Sequence, residues 1–318
     1  MFKAEVKSQE NEDICILINV ENHKYSYICE CGEAKKLRVK ECQDTNAIFL
    51  SHTHIDHFVN FDTVLRHQIG ANRKIVICGP KGIIEQVQNR IKSYTWNLIK
   101  KSAISYEVRE LSNGLIRSVV LNPPFWKQEN ETYFNKSIIF EEKDFHVEYE
   151  VLDHKIDSIA YLFKAKDKIK IKLEKGFKSG KWVSDLKTAF IKNNKEQVIL
   201  VDKQEFLAKN LFYMIKVEKG KKLGIIMDHA ANKENHQKIK AKFFRSDEVY
   251  IECFYKDEDK DLANKNYHSH ASMSGQIMRE SEVKNAIPVH FSRKYRAKER
   301  EEIVEQFEKA KNNNTSIY

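Results

Sequence analysis

Ser51-His52-Thr53-His54-Ile55-Asp56-His57 decides how the rest of this chain is read. Three imidazoles and a carboxylate fall within six positions. They follow directly on the apolar run Ala47 to Leu50, which reads as a strand, so they occupy the turn after a strand end, where α/β folds place their sites. Packing does not account for such a group, because every buried polar side chain needs a partner. Imidazole and carboxylate together suit a cation such as Zn²⁺ at about 2.0–2.2 Å. The stretch points to a metal site.

Upstream, Ile14 to Val20 and Tyr25 to Cys29 read as strands. Downstream, Asn60 to Gly70 reads as a helix, Lys74 to Cys78 as a buried strand, and Lys81 to Tyr94 as a helix with Ile83, Ile84, Val87 and Ile91 on one face. The alternation returns at Leu223 to Met227, a strand, then Lys233 to Phe243, a helix, and Glu248 to Phe254, a strand. A helix from about Ser272 to Val283, the strand Ala286 to His290 and an amphipathic helix over Ala297 to Lys311 follow. Strands alternating with helices indicate an α/β architecture.

The stretch Lys164 to Lys195 differs in character. Lys168-Ile169-Lys170-Ile171-Lys172 alternates like an exposed edge strand, blunted by its lysines. It reads either as a basic arm for a phosphate backbone or as a solvated hairpin. Residues 1–318 are read as one domain carrying this arm-like insertion at about 164–197.

At 318 residues and 41% hydrophobic content the chain can bury a large core. Its formal charge of +9 fits a polyanionic partner and equally an ordinary soluble protein. No apolar run is long enough for a membrane span, and Met1-Phe2-Lys3-Ala4-Glu5 lacks the apolar core of a signal peptide. The six cysteines are scattered among apolar runs, which predicts reduced core residues in a cytoplasmic protein. In Cys29-Glu30-Cys31, strand alternation puts both sulfurs on one face, as packing rather than as a metal site.

The pattern His-X-His-X-Asp-His is the signature of the metallo-β-lactamase superfamily, and the chain is identified by it as a member. The resemblance implies a four-layer αββα sandwich with two metals in a cleft at the strand ends, Zn²⁺ first, with Mn²⁺ or Fe²⁺ as alternatives. It also implies the ligands. His52, His54 and His154 hold the first metal, Asp56, His57 and His290 hold the second, and Asp228 bridges them. His154, Asp228 and His290 each follow an apolar strand-like run; His229 is an alternative to Asp228.

Other segments resemble ribonuclease Z, the endonuclease that trims tRNA 3′ ends. Asp153 to Tyr161 is similar to its His-X3-Ser-X-Gly-Tyr, with Ala160 for the glycine. Gly79-Pro80-Lys81-Gly82 resembles its Gly-Pro-X-Gly, Ile251 to Phe254 its His-Glu-Ala-Thr, and Tyr267-His268-Ser269-His270 its Gly-His-Ser-Thr. His290-Phe291-Ser292-Arg293-Lys294-Tyr295 resembles its His-Phe-Ser-X-Arg-Tyr, and Glu30-Cys31-Gly32-Glu33 its Asp-Cys-Gly-Glu. The resemblance runs from about residue 25 to 296 and implies that Asp56 helps activate a water, that His268 gives a proton to the leaving oxygen, and that Glu252 orients it. Ser292 and Lys294 would bind phosphate oxygens. Precursor tRNA or another RNA is the implied substrate, and a homodimer the implied assembly. Two other functions stay open: a small-molecule phosphodiesterase for cyclic nucleotides or nucleotide signals, and a nucleic-acid-binding protein without activity. His270 and His229 are read as local hydrogen-bonding residues.

Overall fold

The computed structural model describes residues 1–135 and 137–313. Two compact units divide it: residues 1–164 with 221–318 form one, and Ala165–Gly220 the other.

In the first unit, an eight-stranded sheet runs in sequence order: β1 (Phe2–Val6), β2 (Ile16–Val20), β3 (Ser26–Cys29), β4 (Thr45–Phe49), β5 (Lys74–Pro80), β6 (Ser105–Ser112), β7 (Leu115–Asn122) and β8 (Lys127–Phe134). Strands β3 to β6 are parallel and the outer pairs antiparallel. The chain continues into β9 (Ile138–Glu141), β10 (Phe145–Asp153) and β11 (Asp157–Ala165). The second unit then contributes β12 (Lys168–Ile171), β13 (Val198–Val201), β14 (Gln204–Leu207) and β15 (Ile215–Glu218). After it come β16 (Lys222–Ile226), β17 (Glu248–Glu252) and β18 (Asn285–Val289), which complete a six-stranded sheet in the order β18-β17-β16-β11-β10-β9.

The two sheets face one another. Ile16, Ile18, Tyr27, Phe49, Val76 and Cys78 of the first pack against Phe140, Phe145, Val147, Ile159, Tyr161, Phe163 and Ile225 of the second. The outer face of the first sheet is covered by helices Phe61–Gln68 and Ile83–Lys92, through Val64, Leu65, Ile84, Val87 and Ile91. The outer face of the second is covered by Lys233–Phe243, Ala271–Glu280 and Ala297–Asn312, through Ile239, Phe243, Ile277, Ile303 and Phe307. Four layers, αββα, result. Strands with helices on one side and a sheet on the other have no wet face, which is why Ile75-Val76-Ile77-Cys78 is apolar without alternation. Helix Ala271–Glu280 can approach the last helix closely because Gly275 sits against the Phe307 carbonyl, where a β-carbon would overlap it.

All six cysteines are free and buried. Cys29 and Cys31 do not share a face, however. Cys29 lies in the core between the sheets and Cys31 in the core under the helices. Strand β3 ends at Cys29, and Glu30 takes a left-handed conformation at φ 62°, which breaks the alternation.

The unit Ala165–Gly220 pairs β12 with β15 and β13 with β14, and adds helix Lys181–Ile191. Its own core is small: Trp182, Leu186, Ala189, Ile199, Val201, Ala208, Leu211 and Met214. In β12 the lysines are exposed and the isoleucines half-buried. Residues 165–220 hold 14 lysines, no arginine and seven acidic residues, so they carry +7 of the chain's +9.

Candidate metal centre

Five strand ends of the first unit supply the site. His52, His54, Asp56 and His57 leave the end of β4, and His154 follows β10. Asp228 follows β16, Glu252 ends β17 and His290 follows β18. Every ligand position expected from the sequence meets here. His52, His54, His154 and Asp228 form one group of donors and Asp56, His57 and His290 another, with the donor atoms of each group within 4.8 Å of one another.

Asp228 stands between the groups. Its Oδ2 faces His52 Nε2 at 3.7 Å and His154 Nε2 at 3.5 Å; its Oδ1 faces His57 Nε2 at 3.4 Å and His290 Nδ1 at 2.8 Å. Asp56 Oδ2 lies 3.6 Å from His57 Nε2 and 3.5 Å from His290 Nε2. Most of these separations are too long for hydrogen bonds, but they suit donors around one ion: a tetrahedron with bonds of about 2.0–2.1 Å has edges of roughly 3.3 Å. Four buried atoms, His52 Nε2, His57 Nε2, Asp228 Oδ1 and His290 Nδ1, have no hydrogen-bond partner, the near approach of the last two being out of line for one. Buried polar atoms without partners are costly; a cation among the first group would satisfy His52 Nε2, and one among the second would satisfy His57 Nε2, Asp228 Oδ1 and His290 Nδ1. The donor set fits two divalent ions.

The outer nitrogens are held from behind. His57 Nδ1 meets Glu30 Oε2 at 2.8 Å, and the other oxygen of Glu30 accepts the Ser51 amide at 2.9 Å. His154 Nδ1 donates to the Tyr267 carbonyl at 2.6 Å, and His52 Nδ1 meets Ser51 Oγ at 3.0 Å. Such contacts fix each ring so that its other nitrogen faces the ion. Glu30, Tyr267 and His290 all adopt left-handed backbone, at φ 62°, 60° and 58°. Non-glycine residues rarely do so, and strain of this kind collects where side chains must be aimed. Gly32 serves the same loop: a β-carbon there would overlap the Asp56 carbonyl.

The electrostatics separate the two groups. Burial, with His57 next, pushes His52 down to about 2, and burial with His154 lowers His54, so both imidazoles keep a free lone pair. Around the second group burial would lower both imidazoles, but Asp228, joined by Glu30 at His57 and by Asp56 at His290, outweighs it together with them, raising His57 well above its ordinary range and His290 to about 9. Asp228 itself, which burial alone would raise, is held well below the carboxylate range by His290 and His57. Protons and metal compete for these nitrogens, and the carboxylates supply the negative charge that either must balance.

Glu252 and His268 come together as expected. His268 Nδ1 makes a short hydrogen bond to Glu252 Oε1, and lies 3.8 Å from Asp228 Oδ2. Glu252 outweighs burial and raises His268; His268 in turn helps bring the buried Glu252 down to about 2. The second Glu252 oxygen accepts the His229 amide at 2.9 Å, and His229 Nδ1 donates to the Met227 carbonyl at 3.0 Å; His229 belongs to neither donor group. His270 Nδ1 meets Asp257 at 2.8 Å beside the start of helix Ala271–Glu280.

A cleft of about 690 Å³ opens on Asp56 and His290, lined also by Ile55, Val59, Phe254, Phe291, Ser292 and Arg293, with Glu12, Asp13 and Glu33 at its rim. Ser292 reaches this cleft. Lys294 is not among its lining residues: its ammonium pairs with Asp259 at 2.9 Å. Two features had no counterpart in the sequence reading. Phe254 stacks face to face on His268, centroids 3.9 Å apart and planes 6° apart. Arg293, at the variable position of its motif, lies on the cleft. Nothing in their spacing announces either.

No family model matches the chain. It is 27% identical over 290 residues to Ribonuclease Z of Borreliella afzelii, spanning 87% of this chain and 79% of that one. Against Ribonuclease Z of Deinococcus radiodurans it is 20% identical over 316 residues, spanning 96% and 94%. Among solved structures, the metallo-β-lactamase fold protein YhfI from Bacillus subtilis superposes with a TM-score of 0.58 at 12% identity, covering 97% of this chain and 92% of that one. Human tRNase Z, short form, does so with a TM-score of 0.55 at 15% identity, covering 91% of each. The chain has the metallo-β-lactamase fold and resembles ribonuclease Z over most of its length.

Proposed function

We propose that this protein is a divalent-metal-dependent endoribonuclease that cuts precursor tRNA at its 3′ end. The observation that carries the reading is Asp228, one carboxylate turned with one oxygen to each of two donor groups, beside the Glu252–His268 pair. The similarity to proteins named Ribonuclease Z over 87% of the chain supports the RNA substrate.

His52, His54 and His154 would hold one ion, Asp56, His57 and His290 the other, and Asp228 both, with zinc suited to this nitrogen-rich set. When bound, such a pair supplies Lewis acidity toward the phosphate and toward water. The chain's residues do the rest. Asp56, at the edge of the cleft, orients the attacking water. His268, protonated with its Nδ1–H on Glu252, presents its other N–H to the leaving oxygen. Ser292 offers a hydroxyl to a phosphate oxygen. Residues 165–220, with their +7, supply a positive surface for the RNA backbone. The working unit in this reading is a homodimer in the cytoplasm; among the described residues no helix is long and apolar enough to cross a membrane.

The test is a precursor tRNA transcript with a 3′ trailer, incubated with zinc-loaded and chelator-treated protein. A single metal-dependent cut at the trailer junction is expected, with two ions per chain by elemental analysis. Absence of that cut alongside brisk hydrolysis of a cyclic nucleotide would move the assignment to a small-molecule phosphodiesterase.

A further inference from the structure

Two adjacent cations follow His290, and they are committed differently. Lys294 gives its ammonium to Asp259, which also takes the Tyr295 hydroxyl, and sits 5.0 Å from the centre of the Tyr295 ring and 5.8 Å from that of Tyr255. To meet a substrate it would have to leave all three. Arg293 is on the cleft that opens onto Asp56 and His290. One guanidinium nitrogen is paired with Asp13, and Glu33 lies 3.9 Å from it. Asp13 is nearly covered, at 11% side-chain exposure, whereas Arg293 is 58% exposed.

We infer that Arg293, anchored by Asp13, is the residue that meets the substrate phosphate beside the metal centre, in the place that motif resemblance gives to Lys294. A guanidinium has five N–H donors in a planar fork, and the Asp13 contact leaves donors free for a phosphate. The anchor also fixes the side chain beforehand, so less freedom is lost on binding. The surroundings make this cation count. Among the described residues lining the cleft, Arg293 is the one permanent cation, against the carboxylates of Glu12, Asp13, Glu33 and Asp56. A phosphodiester entering the cleft is repelled by those carboxylates, and Arg293 is the lining side chain that offers it a fixed positive charge. The exposed apolar side chains of Ile55 and Val59, 78% and 40% exposed, leave the other wall uncharged.

The inference rests on the phosphodiesterase reading above, and the experiment separates the two. Turnover of bis(p-nitrophenyl) phosphate is measured on the metal-loaded full chain, with metal content determined for each variant. Arg293→Gln should raise KM about tenfold while kcat stays within about threefold, as expected for losing a charge-assisted contact that the ground state already makes. Arg293→Lys keeps the charge without the fork and should raise KM about threefold; it also serves if the glutamine variant does not fold. On precursor tRNA, kept whole in a His268→Ala background, Arg293→Gln should lower the slope of log binding constant against log salt by about 0.7. An unchanged KM and slope in both Arg293 variants, or a KM increase confined to Lys294→Gln, overturns the inference. If the wild-type chain hydrolyses neither the diester nor the RNA, the phosphodiesterase reading fails and this inference with it; if it turns over substrate but ignores Arg293, only the inference fails.

Discussion

The first unit of this chain and the segment Ala165–Gly220 differ most sharply in charge. The first spans the two sheets and all the proposed ligands, yet its residues share only +2, and the rim of its cleft is acidic. The second is built on a core of eight residues and carries +7. A site that gathers buried carboxylates for cations is a poor attractor of polyanions. In the proposed reading, the chemistry and the long-range attraction belong to separate pieces of chain, each under its own constraint.

That division breaks most visibly within the first unit. Asp228→Ala removes the carboxylate common to both donor groups, so metal and turnover should disappear together, on the order of 10⁴-fold or more in rate. His268→Ala should keep its metal and lose turnover by about 10²–10⁴-fold. Elemental analysis beside a rate assay separates them, and a metal-free His268→Ala protein would show that this imidazole is a ligand rather than an acid.

The second unit answers to salt. Replacing Lys168, Lys170, Lys172 and Lys175 together by Gln should flatten the salt dependence of RNA binding by up to about 0.7–0.9 per lysine that meets a phosphate. The loss on RNA should exceed the loss on a small diester; equal losses would mean that the charge on residues 165–220 has no special part in holding RNA.

The two pieces also differed in how far they could be read in advance. The turn 51–57 is legible because three imidazoles and a carboxylate within six positions are hard to account for as packing, and the helices over 61–68 and 83–92 are legible because their apolar faces recur at helical spacing. The distant candidate ligands His154, Asp228 and His290 came only through resemblance, since a lone polar residue after a strand has no period. What escaped did so for local reasons. Strand β8 turns Lys127 to Tyr133 outward along a sheet edge, so Lys127-Gln128-Glu129-Asn130-Glu131 shows no apolar alternation. Cys31 changed faces because Glu30 adopts a left-handed backbone to aim its carboxylate. Lys294 found a partner 35 positions away, which no motif records. The expected insertion at 164–197 and the compact unit 165–220 differ at their far end, where β13, β14 and β15 are each four residues long and too short to show a period.

A smaller effect tests how finely the first unit positions its acid. Phe254 lies against His268 at stacking distance, so Phe254→Leu preserves an apolar side chain but removes the aromatic face. Such ring pairs are worth about 0.5–1.5 kcal/mol, and kcat should fall roughly 3- to 10-fold with KM and metal content unchanged. Phe254→Tyr should restore it; a leucine variant with full kcat would make the stack mere packing.

The smallest effect sharpens the comparison through stability. Burial tends to raise Glu41, but hydrogen bonds from Arg38 and Lys7 bring it down to about 2 from 4.5. A depressed carboxyl contributes stability that is fully present above its unfolded value and lost as pH falls through the folded one, here from about 4.5 toward 2. Lys7 mirrors it, raised by Glu5 and Glu41 against burial, so its contribution is present below about 10.5 and lost above that. Within 165–220, Glu218 is held low at the surface beside Lys170, where solvent screens it. Acid should therefore weaken the first unit before the second. Unfolding followed between pH 5 and pH 2 should show a loss on the order of 1 kcal/mol that Glu41→Gln removes; an identical decline in that variant would place the acid sensitivity elsewhere, with the site's own carboxylates as the next group to examine.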